Sequence, residues 1–137
     1  MINKFSGKHR YLSNFWLSPV AFCGTVYPSV ENAYQAAKFQ KIDREVFISC
    51  SPYKAKMHGQ LTITADNWNK EKLGVMTKLL EQKFADGSFL AQKLIDTGKC
   101  EIIEGNSWGD TFWGVCNGEG SNNLGKTIMS IRADLAA

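Results

Sequence analysis

The sequence predicts an α+β fold, a compact and mostly helical single domain with a small sheet. Three observations carry this. Helical periodicity with serine and asparagine caps recurs from Ser29 to the C-terminus, strand-like runs are few and short, and the composition suits one core. The last point rests on 137 residues, 44% hydrophobic and 21% charged, with no run near the ~18 apolar residues of a membrane helix.

Residues 5–15 mix Phe5, Tyr11 and Phe15 with Gly, Ser and Asn, predicting a short strand followed by a structured loop. Asn14, beside Phe15 and Trp16, can hydrogen-bond a ligand while a ring packs on it, although loop asparagines commonly bond their own backbone. Residues 20–27, interrupted by Gly24, predict a hairpin that delivers the chain to a central helix. Ser29 caps that helix, Glu31 lies in its first turn, and it runs to Phe39. Glu31, Tyr34, Gln35 and Lys38 fall at i, i+3, i+4 and i+7 on one face, while Val30, Ala33, Ala36, Ala37 and Phe39 offer small apolar surface for packing. Acid and amine stand two turns apart, about 10 Å of rise, and the lysine leans back toward the N-terminus, so both can reach one ligand. On stripe geometry alone a solvated helix face is the simpler reading.

A second short helix is expected from about Asp43 through Ile48, and a third from Ser51-Pro52 to His58-Gly59. Both read as packing elements, with Lys54, Lys56 and His58 also able to meet a phosphate. Residues 62–67 read as polar connection. Asn67 or Asn69 then caps a long helix to Phe84, with Leu73, Met76, Leu79, Leu80 and Phe84 on its apolar stripe. Asp86-Gly87-Ser88 stops it and caps a helix over 89–96, closed by Thr97-Gly98, and residues 101–104 predict a short strand.

Residues 105–114 are chemically dense, holding three large aromatics, three glycines, Asn106 and Asp110. Trp108 or Trp113 can stack on a base or sugar, Asp110 can hold or deprotonate a polar group, and glycines let backbone amides approach a ligand. The composition equally describes a buried aromatic corner with Asp110 bonding backbone in a turn. From Gly120 to Thr127 the chain matches GxxxxGK[ST], the phosphate-loop pattern. A nucleotide-hydrolysing loop of that kind needs later strands and an acidic magnesium ligand, and ten residues follow Thr127, so that function is excluded. What survives is an expectation of free amides at a helix N-terminus, where an anion is favoured.

The four cysteines, Cys23, Cys50, Cys100 and Cys116, have no CxxC spacing and only His9 and His58 as partners, so neither a zinc site nor any other metal or cofactor is expected. They read as reduced thiols, mostly small buried hydrophobes, and with no secretory signal in residues 1–6 the protein is expected in the cytoplasm. A net charge of +3, with only Arg10, Arg44 and Arg132 as arginines, argues against a broad nucleic-acid face and suits a small anionic ligand.

Residues 12–15, 29–39, 83–84, 97–98, 104–114 and 120–125 together, in order and spacing, resemble the NADAR (YbiA-like) family over about Phe5 to Leu135. The resemblance implies a compact, mostly helical α+β fold and an N-glycosidase acting on guanine-linked ADP-ribose or on phosphoribosylamino intermediates of riboflavin synthesis. The substrate would thus be a small molecule or an ADP-ribose linked to nucleic acid, with no membrane involved. It implies Glu31 and Asp110 as acids, Lys38 as a reactive amine, Trp108 as an aromatic wall, and Asn14, Asn106 and Asn122 as ligand contacts. Phe15, Tyr34, Gln35, Trp113 and Gly125 complete the candidate substrate-binding residues. The chain departs from the pattern at Gln60 and Lys72, where arginine is often expected, and Lys72 supplies charge without a bidentate fork. The alternative is a module that binds NAD or ADP-ribose without turnover.

Overall fold

Serine hydroxyls begin three helices where the sequence predicts them: Ser29, Ser51 and Ser88 accept from the backbone N–H of Asn32, Lys54 and Ala91 at 3.1–3.2 Å. The computed structural model describes residues 1–61 and 67–137, and its fold is α+β and mostly helical, as expected. The predicted connection over 62–67 lies, as far as residue 66, outside the described residues. Two compact units emerge, Asn14–Lys83 and the combination of Met1–Ser13 with Phe84–Ala137.

In the first unit, strands β1 (Leu17–Phe22) and β2 (Thr25–Ser29) form the predicted antiparallel hairpin, with Val20 opposite Tyr27. Its two-residue turn, Cys23 and Gly24, has positive φ at both positions, the geometry that matches strand twist. An irregularity between Leu17 and Val20 houses Pro19, which has no N–H for the ladder. Helix α1 (Val30–Ala37) follows directly and packs on both strands, on α2 (Val46–Ser49), α3 (Pro52–Gln60) and α4 (Trp68–Lys83). The second predicted helix is split: a 3-10 turn over Lys41–Asp43 precedes α2. Between them Arg44 donates from Nε to the carbonyls of Ala36 and Phe39 at 3.1 and 2.9 Å, closing the C-terminal end of α1 with a cation.

Asn32 ties α1 to the next segment. Its Oδ1 accepts from the Ser29 hydroxyl at 2.6 Å, and its Nδ2 donates to the carbonyls of Phe47 and Cys50 at 3.0 and 2.9 Å. Asn32 is fully buried, so Asn32→Ala strips its partner from the buried Phe47 carbonyl and from the part-buried carbonyl of Cys50. The expected loss is about 3 kcal/mol, read as a lower urea midpoint at unchanged slope.

Gln82, in the last turn of α4, exchanges two 2.7 Å bonds with the N–H and carbonyl of Ala21, filling the hairpin edge as another strand would. The apolar stripe of α4 needs one correction. Leu73 is exposed, and the buried side is Trp68, Met76, Leu79, Leu80 and Lys83.

In the second unit, the strand predicted within residues 5–15 is a 3-10 helix, Gly7–Leu12. Gly7 at φ 56° turns the chain, and Tyr11 and Leu12 anchor it in the core. Helix α5 (Phe89–Ile95) is capped by Asp96, and the predicted Thr97-Gly98 signal follows in the turn beyond it, with Gly98 at φ 68°. The strand expected over 101–104 reduces to one parallel bridge between Ile2 and Ile102, and regular pairing comes later, between β3 (Gly105–Asn106) and parallel β4 (Val115–Cys116). Helix α6 (Asn123–Ala136) buries Leu124, Ile128 and Ile131.

Of the cysteines only Cys116 is buried, which corrects the expectation that most would be: Cys23 sits exposed in the hairpin turn, and Cys50 and Cys100 are part-exposed. No helix among the described residues is long and apolar enough to cross a membrane.

Candidate functional site

The polar stripe of α1 is not a solvated face. Glu31, Tyr34 and Gln35 are 8%, 6% and 5% exposed, because α3 and α4 pack against this helix. Lys38, one turn beyond Tyr34, is half-buried at the helix end.

Gln35 Nε2 donates to Glu31 Oε2 at 2.7 Å, one turn apart on α1. On the other side, Glu31 donates its backbone N–H to the carbonyl of Asn14 at 3.0 Å. Asn14 Nδ2 reaches Met76 Sδ of α4 at 3.5 Å, while Asn14 Oδ1 and Gln35 Oε1 are buried without a hydrogen-bond partner. Two residues bonded to Glu31 thus each keep a carbonyl oxygen able to accept a hydroxyl proton, and a buried acceptor left unpaired is costly unless a ligand fills it.

Lys38 Nζ stands 5.4 Å from the centroid of Tyr34, and that ring meets Trp68 at 5.3 Å, tilted by 53°. Burial holds the Lys38 amine below its ordinary range; Glu31 opposes this and the Lys72 cation adds to it. Trp68 is a residue that the reading of the sequence did not single out as functional. Its signal is an aromatic in the first turn of a long helix, four residues before a lysine. Phe15 is 36% exposed, with Lys56 Nζ 6.0 Å from its ring. The His58 ring packs on Phe39 and edge-on to Phe47, so its partners are aromatic.

In the second unit, Asp110 Oδ1 accepts from the N–H groups of Phe112 and Trp113 at 3.2 and 2.9 Å. Asn106 accepts from Asp110 N–H at 3.0 Å and donates to the carbonyl of Asp110 and to Glu104 Oε2, both at 2.9 Å. This is the turn-building alternative for Asp110, with Phe112 and Trp113 edge-to-face at 4.8 Å beside it. Trp108 stays 60% exposed next to Gly109, φ 85°.

Asn122, at φ 51°, donates to the carbonyl of Ile102 and accepts from Glu104 N–H, both at 2.9 Å. Asn106 and Asn122 therefore make loop-building bonds at both ends of the amide. Gly125 is buried where a Cβ would overlap the Ile102 carbonyl and the Asn122 side chain, a packing reason for glycine.

The expected free amides before α6 are not free. The N–H groups of Ser121, Asn122, Asn123 and Leu124 go to the carbonyls of Thr111, Gly114, Phe112 and Trp113 at 2.8–3.2 Å. The anion expected there has lost these donors, because the aromatic loop folds back on this terminus and uses them. The described residues form two two-stranded sheets, β1 with β2 and β3 with β4. Among the described residues no three His, Cys, Asp or Glu side chains stand together as metal ligands.

The NADAR domain, as a family model, matches residues 3–136, a range that takes in both units. Over 143 residues the chain is 33% identical to N-glycosidase YbiA of Shigella flexneri serotype 5b (strain 8401), covering 99% of this chain and 89% of that protein. It is 31% identical over 133 residues to a riboflavin biosynthesis protein of Vibrio vulnificus (strain YJ016), covering 93% of this chain and 36% of the longer relative. The solved structure of YbiA from E. coli is similar at a TM-score of 0.83 and 30% identity, over 99% of this chain and 87% of that one.

Proposed function

The chain belongs to the NADAR family, and from that premise we propose that it is an N-glycosidase hydrolysing the N-glycosidic bond of an ADP-ribosyl-guanine or a phosphoribosylamino substrate. The observation that carries this reading is the α1 face. A buried carboxyl, Glu31, is bonded to Gln35, and the same face offers an amine held below its usual range by burial.

A lysine attacks only in its neutral form, and the environment of Lys38 enlarges that fraction. Lys38 Nζ bonds to C1 as the bond from C1 to the base nitrogen breaks, and the base leaves with a proton supplied by a carboxyl. Opening of the ribose C1–O bond then gives a protonated imine. Water adds to C1, the amine departs, and the sugar is released as an aldehyde that recloses. Glu31 stabilises positive charge at C1, and Asp110 is a second acid by family resemblance alone. The unpartnered oxygens of Asn14 and Gln35 accept sugar hydroxyls.

Two substrates test the reading: an oligonucleotide carrying ADP-ribosyl-guanine, and a phosphoribosylaminouracil. Wild type is expected to release ADP-ribose or ribose phosphate from one of them. Borohydride added during turnover is expected to leave a reduced sugar adduct on Lys38, absent in Lys38→Ala. Release without an adduct replaces the imine by direct attack of water. Binding of ADP-ribose with no release from either substrate overturns the enzyme in favour of a sensor.

A further inference from the structure

Gly59 stands near the end of α3 with no conformational reason to be glycine: its φ is not positive, and glycine is the poorest helix former after proline. The reason lies in what it faces. At Gly105, Gly114, Gly120 and Gly125 an added Cβ would run into backbone carbonyl oxygens, those of Asn3, Glu104, Gly114 and Ile102. At Gly59 the nearest atoms all belong to one side chain, Gln35, beginning with Oε1.

Gln35 is 5% exposed, and its Oε1 is buried without a hydrogen-bond partner, so hydrogen bonding through that oxygen does not anchor the amide. What seats it is the space over Gly59 on one side and the 2.7 Å bond from Nε2 to Glu31 Oε2 on the other. We propose that Gly59 is a positioning residue for Glu31: the missing Cβ admits the Gln35 carbonyl against α3, and this aims the Gln35 N–H at the carboxylate. A methyl at Gly59 overlaps the amide end of Gln35 and crowds its Cβ, so the side chain swings away with at most a small shift of α1, and the displaced amide no longer meets the acid. The proposal rests on the assignment of Glu31 as the reacting acid.

The charges around Glu31 stay constant in such a variant. On α1 the amine is Lys38, and α4 carries Lys70, Glu71, Lys72, Lys78, Glu81 and Lys83, of which Lys72 repels Lys38. On α3 the ionisable side chains are Tyr53, Lys54, Lys56 and His58, of which Lys56 lies over Phe15. Helix α2 and the two hairpin strands carry none of Asp, Glu, Lys, Arg or His.

The test compares Gly59→Ala, Gln35→Leu and the double variant, reading the carboxyl titration of Glu31 by carbon-13 NMR in the substrate-free protein. Both single variants are expected to move the midpoint up by about one pH unit, because a donor to the charged form is lost. In the Gln35→Leu background Gly59→Ala is expected to add nothing. The kcat of Gly59→Ala should fall roughly tenfold, with a higher KM as the Gln35 oxygen leaves the substrate, and the thermal midpoint should fall less than for a core overpacking that moves backbone. An unchanged titration in Gly59→Ala, or an equal shift in both backgrounds, overturns the proposal whatever turnover shows. A shifted titration with unchanged kcat keeps the positioning but removes Glu31 from the reaction.

Discussion

Glu31→Gln is expected to lower kcat by roughly 10²–10⁴-fold with substrate still bound, the range lost when a positioned acid or base is removed. The substitution keeps the size of the side chain and removes its charge, in a position 8% exposed where a carboxylate is little screened by water. Loss of kcat with little change in KM marks an interaction made in the transition state; a higher KM at constant kcat would place Glu31 in ground-state binding only. Steady-state kinetics on whichever substrate wild type cleaves decides between them.

The second large effect concerns stability. Lys83, 3% exposed in the last turn of α4, has its amine pushed down by burial to about 7 from an ordinary 10.5. Between those values the unfolded chain holds a proton that the folded one does not, so unfolding takes up a proton and stability rises with pH through the window. Below pH 7 both states are protonated, and the folded state bears the desolvation of the cation. Lys83→Met is expected to remove that slope. It should stabilise the protein at pH 6 by several kcal/mol relative to pH 10, on the order of 5 for the full difference. Urea unfolding of both proteins at pH 6, 8 and 10 checks this, and parallel curves would refute it.

The extent to which the sequence announces this structure divides by the range of the interactions. Ser29, Ser51 and Ser88 are legible because a cap acts within three residues, and the Cys23-Gly24 turn is legible for the same reason. The stripe Glu31, Tyr34, Gln35 and Lys38 is legible as spacing, but its burial is not, since the covering surfaces come from helices twenty to fifty residues away. The 3-10 helix at Gly7–Leu12 is not legible as helix because Gly-Lys-His-Arg-Tyr-Leu is six residues long, too short to carry a period that separates it from strand. Asn106 and Asn122 show the same limit at the candidate site. An asparagine in a glycine-rich loop has one composition and two uses, and only the partners of its amide, Asp110 and Glu104 for one and Ile102 and Glu104 for the other, distinguish ligand contact from scaffolding. In the sequence Gly59 marks only the expected end of the third helix, and its contact with Gln35 spans 24 positions that no local rule connects.

Helix α1 is eight residues long, below the ~12–15 at which an isolated helix begins to persist in water. Its ends are held from outside, by Arg44 on the carbonyls of Ala36 and Phe39 and by Asn32 on the carbonyls of Phe47 and Cys50. The acid and amine therefore have no lifetime of their own. They come into register only when residues 44–50 have docked, and they lose it when that segment leaves. Release of residues 44–50 alone is therefore expected to carry acid and amine out of register together, so the life of the active geometry is set by how long that segment stays docked.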